Sequence, residues 1–435
     1  MRGIGFLCLL SLWCDAAANP LDSFGFGSRA IALGGAVTAD TNSTEATYYN
    51  PAGLVHTTAL KLDLGYIYVQ PDLKLNGHGQ DVDASRGIQA GLSLPSRIGQ
   101  YRFGIALSVH LPDQHISRIR ALPERQPRWV LWDNRPQRIV INSSVAIELV
   151  DDLSFGFGLT YLANTSGTLK MSGDVDFFDA EATDLLAEVD VNLAALRYVT
   201  VGIQYRPSAA WKFGLTYRED FKLELDIAVD VQGAVVIDGD PIVDAGRLQV
   251  RSISQTLYSP QQVVFGSCYS NETWRVSLDI GWIDWSKFPA PTAIVDLGLV
   301  LEPLDVEIPT PARPIKPNFT DIWVPRVGIQ RSIYSGTDLN MDARMGYFFE
   351  PSPAPEQIGK TNYIDSDKHG FSFGVGADVI QTEGIIAGPL SVDLTFLWLV
   401  LASRSHRKQS PVDPVGDYIG SGHALGLSIN IGSSF

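Results

Sequence analysis

The chain has 435 residues, 45% of them hydrophobic, and a formal net charge of −15. Such acidity argues against nucleic-acid binding, which needs basic patches. Of its three cysteines, a cleaved leader would remove Cys8 and Cys14, and Cys268 alone cannot form an internal disulfide framework.

The N-terminus has the features of a secretory signal peptide. Arg2 precedes an apolar run from Ile4 to Trp13, and Ala16–Ala18 supplies an A-x-A cleavage site. The run is too short to cross a bilayer as a helix. Lipidation of Cys14 is the alternative, although Trp13 is a poor residue before a lipidated cysteine. We therefore predict a leader at residues 1–18 and an exported chain.

Residues 19–59 do not alternate in the way that the rest of the chain does. Ser28–Ala36 is rich in small residues, which allow close backbone packing, and Pro51 makes a turn rigid. The segment is too short for an independent domain but long enough to fill a barrel mouth. We predict that residues 19–59 form a hatch.

From residue 60 onward, bulky apolar residues alternate with small or polar ones. Tyr101, Phe103, Ile105 and Leu107, for example, are separated by Arg102, Gly104 and Ala106. Each of fourteen such segments is close to the ~9–11 residues of a tilted membrane strand. They cover 60–70, 87–95, 101–111, 138–149, 153–165, 196–206, 211–225, 261–270, 274–285, 321–331, 338–349, 368–379, 389–400 and 422–435.

The connections alternate between short and long. Those after even-numbered strands are short, as at Val150–Asp152, and those after odd-numbered strands are long, as at 112–137, 166–195, 226–260 and 286–320. Outer-membrane barrels have short periplasmic turns and long extracellular loops. The chain also ends on Phe435 in the apolar phase of its last strand. We predict an all-β, transmembrane antiparallel barrel over residues 60–435, with both termini in the periplasm. A soluble β-sandwich is the alternative.

Several short motifs, in their order and spacing, resemble the FadL/TodX family of outer-membrane transporters for fatty acids and other hydrophobic compounds. The resemblance spans essentially the whole mature chain. Its motifs are Gly27–Ala36, Asn50–Leu54, Trp211–Arg218, Asp284–Phe288, Asp321–Trp323, Arg326–Gly328, Gly346–Tyr347 and Ser352–Pro353.

The resemblance implies a barrel whose lumen is blocked by the hatch. It further implies capture of a hydrophobic molecule at an extracellular loop groove and sideways release through a gap near strand 3. The small lumen-facing residues Gly104 and Ala106 are where we expect strand 3 to bend inward. The opening would then face Asn50, Pro51 and Ala52.

Two loops contain apolar residues suited to a collecting surface. Trp129, Val130, Leu131 and Trp132 lie in the loop after strand 3, and exposed contiguous apolar surface usually marks a binding site. Phe177, Phe178 and Leu185, in the loop after strand 5, could form the facing wall, with alternating acids that suggest a helix. A loop buttress is the structural alternative for the first group.

Four arginines, Arg102, Arg218, Arg326 and Arg344, fall in the lumen-facing phase. A fatty-acid carboxylate would favour an arginine fork. Pairing with lumen acids is the alternative role, because buried charges need partners. In the family a basic residue often precedes the Asp-x-Trp element, and Thr320 at that position weakens the argument for carboxylate capture.

We predict passive uptake of hydrophobic compounds, with long-chain fatty acids first and alkanes or aromatic hydrocarbons as the alternative. A general porin and a barrel lipase are the remaining candidates. We expect no enzymatic activity, catalytic residue, cofactor or metal, since neither a G-x-S-x-G element nor zinc-type histidine spacing is present in the sequence. The expected partners are the hydrophobic substrate and outer-membrane lipid, and the expected state is a monomer.

Overall fold

Fourteen antiparallel strands form the wall of a closed barrel in the computed structural model of the chain. The structure describes residues 17–18, 20–113, 126–132, 138–176, 184–237, 240–290, 294–302, 315–380 and 388–435. No helix within these residues is long and apolar enough to cross a membrane. The prediction of an all-β, fourteen-stranded barrel around an N-terminal hatch is confirmed.

The wall strands are numbered β1 to β14 in chain order. The first and last close the barrel, because β1 pairs with β14 from Lys61↔Ser434 to Leu75↔Gly420. One end of the barrel carries the short turns (the turn end), and the other carries the long connections (the loop end). The wall strands are Lys61–Leu75, Ser85–Ile98, Tyr101–Pro112, Val140–Val150, Leu153–Asp176, Asp184–Tyr205, Trp211–Arg218, Gln262–Ser270, Trp274–Ile283, Ile322–Ser335, Leu339–Glu350, Lys368–Val379, Leu390–His406 and Tyr418–Ser434.

Side chains alternate across the wall as the sequence predicts. On β3, Ile105 and Leu107 are exposed on the outer surface, whereas Gly104, Ala106 and Ser108 are buried toward the lumen. Successive side chains of a strand point to opposite faces. The outer wall is therefore an apolar band, and the inner wall is lined by small and polar residues.

Several predicted strand boundaries are wrong on the loop side; β6, for example, begins at Asp184 rather than at residue 196. β7 ends at Arg218 rather than at residue 225. Glu219 still donates its N–H to Val199 O (3.0 Å) on β6, and a separate strand begins at Phe221. β5 continues to Asp176, well past its predicted end at residue 165. Strand pairing thus extends into regions 166–195 and 226–260, which the sequence pattern predicts to be loops.

A sheet projects from the loop end of the barrel. Its strands are the outer parts of β5 and β6 together with Phe221–Ile237, Asp240–Ser259 and Ile294–Glu302. The strand Phe221–Ile237 runs parallel to β5 and antiparallel to Asp240–Ser259. The helix expected around Leu185 is wrong, because Leu185 lies in β6, where residues 187–193 alternate with a period of two.

The hatch is built of short helices inside the lumen. Helices α1, α2 and α3 are Pro20–Phe24, Ser28–Ala32 and Ala46–Tyr49, and 3₁₀ turns cover Ser43–Glu45 and Pro51–His56. A further 3₁₀ turn, Trp285–Lys287, lies at the loop end. The remaining short strands are Ala17–Ala18, His78–Gly79, Arg128–Trp129 and Tyr363–Ile364.

Candidate functional site

Lumen-facing glycines let the hatch lie directly on the wall. A Cβ atom built on Gly202 would lie 1.9 Å from Asn50 Oδ1, and one built on Gly156 would lie 2.2 Å from Ala52 N. Real Cβ atoms do not approach other atoms so closely, so these positions exclude every larger residue. Glycines with the same role on other wall strands are Gly104, Gly214, Gly328, Gly346 and Gly374.

Asn50, Pro51 and Ala52 fix the hatch against β5 and β6. Asn50 is fully buried, and its side-chain amide donates to Thr38 O (2.8 Å) and to Ile203 O (3.0 Å) on β6. Its Oδ1 accepts the N–H of Ala52 (3.1 Å), which starts the following 3₁₀ turn. The expectation that these residues face strand 3 is therefore wrong.

The expected opening in strand 3 is also wrong. β3 pairs with β2 from Tyr101 to Pro112 and with β4 from Phe103 to His110, with no shift of register on either side. A Cβ on Gly104 would lie 2.5 Å from Leu54 O, so this glycine accommodates the hatch. Ala106 is buried in the same contact with Leu54. The wall at β3 is continuous in its pairing, and its small residues make room for the hatch.

A hatch carboxylate, Asp40, collects three cationic side chains. Its oxygens lie 2.5 Å from Lys212 Nζ on β7, 3.0 Å from Arg275 Nε on β9 and 3.2 Å from Arg29 on α2. Burial by itself raises the pKa of Asp40, but Arg275, Arg29 and Lys212 together hold that pKa well below its usual range. Asp40 is therefore ionised and ties the hatch to the wall.

An internal cavity of about 100 Å³ lies between the hatch and the loop end. This space is several times the ~10–15 Å³ that one water molecule needs. The hatch supplies Phe24, Ile31 and Tyr48 to its lining, and the polar residues around it include Arg218, Arg326 and Glu350. Aromatic and aliphatic wall and loop residues complete the lining: Leu131, Trp132, Tyr258, Trp285, Phe348 and Leu397.

The segment Trp129–Trp132 forms a roof over this cavity. All four side chains are buried, so the expectation of an exposed apolar collector is wrong. The rings of Trp132 and Phe24 make an edge-to-face contact at 6.0 Å, and Trp129 and Val130 belong to the same apolar cluster. Leu131 and Trp132 line the cavity. Burial against neighbouring loops is what removes these residues from water.

Three of the four lumen arginines are held by carboxylates. Arg102 lies at the turn end, half exposed, 3.4 Å from Glu148. Arg218 donates to Asp22 (2.7 Å) and to Tyr48 O (2.6 Å). Arg344 pairs with Asp393 and Asp342. For these three arginines the structure supports the pairing alternative.

Arg326 differs from the other three. Its guanidinium lies over the ring of Phe348 (4.8 Å) and donates to Gly34 O (3.1 Å). Within the described residues no carboxylate lies within ion-pair distance of it, although Asp279 is its cross-strand partner. Because Arg326 lines the cavity, it has donors available there for a polar group of a bound molecule.

The residues that were predicted to form the facing wall of the site do not line this cavity in the described part of the chain. Phe177 and Phe178 lie outside the described residues. Leu185 lies in β6 within the projecting sheet, far along the strand from the barrel. In the described part of the chain, no group of three or more potential ligands could hold a metal ion.

Most of the aromatic residues that line the cavity were not predicted from the sequence. Phe348 is the one bulky apolar residue in the otherwise small or polar lumen phase of β11, and that exception could have identified it. Trp285 and Phe288 lie inside a motif that carried the family resemblance, and their rings pack with Phe319 and Tyr258. No periodic signal identifies Tyr258, because it lies at the end of a strand outside the wall.

Known proteins share both the sequence pattern and the fold of this chain. A family model described as outer membrane protein transport protein (OMPP1/FadL/TodX) matches residues 133–420. Alkane uptake protein A of Marinobacter nauticus is 23% identical over 406 residues, which covers 88% of this chain and 84% of that protein.

Solved structures show the same architecture. A FadL homologue of Pseudomonas aeruginosa superposes with a TM-score of 0.57 at 14% identity, covering 97% of this chain and 99% of that one. The toluene transporter TodX of P. putida gives a TM-score of 0.52 at 16% identity, covering 95% and 99%. The chain therefore belongs to the OMPP1/FadL/TodX family of outer-membrane transport proteins for hydrophobic compounds, and its barrel spans the bacterial outer membrane with the loop end outside.

Proposed function

We propose that this barrel takes up long aliphatic compounds passively, with linear alkanes as its principal substrates. The observation that carries the proposal is the aromatic and aliphatic cavity between the hatch and the Trp129–Trp132 roof. Transfer of an alkyl chain into such a space is favourable by about 25 cal/mol per Å² of apolar surface buried. Binding needs no reactive group.

Capture takes place beneath the roof rather than on an open loop surface. Leu131 and Trp132 contact the cavity from above, and Phe24 and Ile31 of the hatch contact it from below. A substrate held there is shielded from water on both sides. Its onward passage to the periplasm requires the hatch to shift, because Asn50 and Asp40 hold it against the wall.

Alkanes are favoured by the charge balance of the cavity. Arg218 is neutralised by Asp22, and Lys368 is neutralised by Glu350 at 2.6 Å. A neutral chain therefore meets no uncompensated charge over most of the lining. The similarity to an alkane uptake protein of Marinobacter nauticus supports the same choice.

Long-chain fatty acids are the second candidate, and one observation favours them. Arg326 faces the cavity without a carboxylate partner among the described residues. A guanidinium in that state can donate a charge-assisted hydrogen bond to a fatty-acid carboxylate. The polar end of the acid would then lie near Gly34, and its chain would lie along Phe348.

A binding titration separates these candidates from their rivals. The purified barrel is titrated with radiolabelled hexadecane, oleate and toluene, and its conductance is recorded in planar bilayers. We expect saturable hexadecane binding and a closed pore. Constant open conductance without saturable binding would establish a porin instead. Hydrolysis of a lipid ester that a single Ser or Asp substitution abolishes would establish a lipase.

A further inference from the structure

The seam between β10 and β11 loses its pairing near the loop end. Ladder partners run from Ser335↔Asn340 up to Arg326↔Phe348. Above that point Ile322–Pro325 remain in β10 and continue to pair with β9. Phe349 and Glu350 continue to pair with β12. Both strands therefore stay in the wall, while the ladder between them stops.

The unpaired stretch is bounded at both ends. Below it lies the Arg326↔Phe348 pair, and above it Thr320 donates its N–H to Pro353 O (2.9 Å). Between these two points no ladder pair joins the described residues 321–325 to 349–352. We call this stretch the β10–β11 seam.

Three prolines remove ladder donors from the seam. Ser332 donates its N–H to Thr273 O on the β9 side (2.9 Å). Along a strand, the N–H groups of successive residues point to the two neighbouring strands in turn. Pro325 is an odd number of residues away from Ser332, so the backbone position of Pro325 points toward β11. Continuing the register places Pro351 opposite Trp323 and Pro353 opposite Asp321. Proline has no N–H, so the seam lacks these ladder donors.

The lumen side of the seam is the wall of the cavity. Val324 and Arg326 of β10 and Phe348 and Glu350 of β11 all line the cavity. The Gly34–Gly35 turn of the hatch lies just below, where a Cβ on Gly34 would be 2.9 Å from Tyr347 N. The seam therefore opens above the hatch, at the level of the substrate cavity.

The lipid side of the seam is apolar and lies near the outer membrane surface. Trp323, 59% exposed, borders the seam and is the ladder partner of Trp282 on β9. Two belts of aromatic residues mark the membrane interfaces of such barrels, and these two lie in the outer belt. An outer-wall groove leads up to Trp323 along Val263, Phe265 and Ile280.

We propose that the β10–β11 seam is a lateral portal through which an aliphatic chain dissolved in the outer leaflet enters the lumen cavity. This inference rests on the proposed uptake of aliphatic compounds and adds the route of entry. The three prolines leave the seam without three ladder donors, whereas β3 keeps its ladder pairs with both neighbours from Phe103 to His110. The chain passes from lipid to cavity without crossing water, so its apolar surface stays buried.

A reversible cross-link across the seam tests the portal. The variant Pro325→Cys/Phe349→Cys, in a Cys268→Ser background, places two thiols at facing positions, where a disulfide can form if the Cα atoms approach to ~4.4–6.8 Å. The matched control, Ile329→Cys/Met345→Cys, joins residues that are already partners lower in the same pair of strands. Hexadecane uptake by cells and equilibrium binding to the purified barrel are measured before and after reduction.

We expect the oxidised Pro325→Cys/Phe349→Cys variant to take up hexadecane at least fivefold more slowly, with full recovery on reduction. Equilibrium binding of hexadecane should not change. The control variant should take up hexadecane at the normal rate in both its oxidised and its reduced form. Equal uptake by the oxidised and reduced forms would overturn the portal. If the unmodified barrel does not bind hexadecane, the proposed function itself is overturned.

A second variant covers the case in which the cysteine pair does not assemble. Pro351→Thr/Pro353→Thr restores two ladder donors, and Pro355→Thr changes a proline in the same segment beyond the seam. We expect slower hexadecane uptake from the double variant and normal uptake from Pro355→Thr. Normal uptake by an assembled double variant would also contradict the portal.

Discussion

The carboxylate of Asp40 in the hatch lies 2.5 Å from the ammonium nitrogen of Lys212 on wall strand β7. The other Asp40 oxygen lies 3.0 Å from Arg275 on β9. One hatch side chain is thus held by two strands of the wall. Because Asp40 is buried, the loss of its charge would leave cations without their partner inside the lumen.

Replacing this carboxylate should loosen the hatch. For Asp40→Asn we expect a loss of about 3–5 kcal/mol in the stability of the seated hatch, the usual cost of removing one partner of a buried ion pair. The measurement is planar-bilayer conductance, which should show frequent openings. Asp230→Asn removes a partly exposed partner of Arg247 in the projecting sheet and should leave conductance unchanged. A closed pore in Asp40→Asn would show that the hatch is held elsewhere.

A methyl group at Gly202 should prevent the hatch from seating. Its Cβ would lie 1.9 Å from Asn50 Oδ1, so Gly202→Ala forces the hatch off β6 at a cost of roughly 1–3 kcal/mol. Limited proteolysis of the folded barrel should then cleave within residues 20–56, which should resist cleavage in the parent protein because they are mostly buried. Gly79→Ala meets nothing within 4 Å and serves as the control. An intact hatch in Gly202→Ala would contradict the close packing.

Arg326 should distinguish acids from alkanes. For Arg326→Met we expect oleate affinity to fall roughly tenfold to a hundredfold, since a hydrogen bond to a charged group contributes about 1.5–3 kcal/mol. Hexadecane has no polar group for Arg326 to bind, so its affinity should change by less than about twofold. Radioligand binding provides both values, and Arg102→Met, at the turn end, is the control. Unchanged oleate affinity would show that Arg326 does not bind the carboxylate.

The roof should contribute directly to substrate binding. Trp132→Ala removes a buried aromatic ring that lines the cavity and contacts Phe24. We expect hexadecane affinity to fall at least about tenfold, because a large apolar contact area is lost. Trp398→Ala, on the outer surface of β13, removes the same side chain from a lipid-facing position. Equal affinities in the two variants would contradict capture beneath the roof.

Acid should destabilise the hatch through His56. Burial, with Arg206 and Arg102 adding to it, lowers the pKa of His56 to about 3. Its unfolded value is about 6.5, so the unfolded state binds the proton first, and stability present above about pH 6.5 is lost as the pH falls toward 3. Thermal unfolding of the detergent-solubilised barrel from about pH 7 to about pH 4 should show this loss, and His56→Gln should reduce it. An identical pH profile in His56→Gln would contradict this role.

The wall was predictable from sequence because its physics is local. On β3 and β9, the two-residue period of bulky and small side chains determines which face meets lipid. The same period continues beyond the membrane in Phe221–Ile237, where it produces the projecting sheet. Alternation alone does not distinguish a strand in lipid from one above it, and this explains the misplaced boundaries of β5 and β7.

The site depended on contacts between distant parts of the chain. The apolar composition of Trp129–Trp132 was clear from the sequence, but its burial beneath other loops was not. Arg218 and Arg326 look alike in the sequence, yet Asp22 reaches only the first of them. Such pairings join residues far apart along the chain, so no local pattern encodes them.

By itself, the sequence determined the barrel, its strand number, its compartment and the presence of a hatch, because strand period, turn length and short motifs are properties of neighbouring residues. Only the tertiary structure decided that β3 is continuous, that Asn50–Ala52 face β5 and β6, and that the cavity lies beneath a buried roof. The prolines at 325, 351 and 353 were visible in the sequence throughout. Their common effect appeared only when the register of β10 and β11 placed them on one seam.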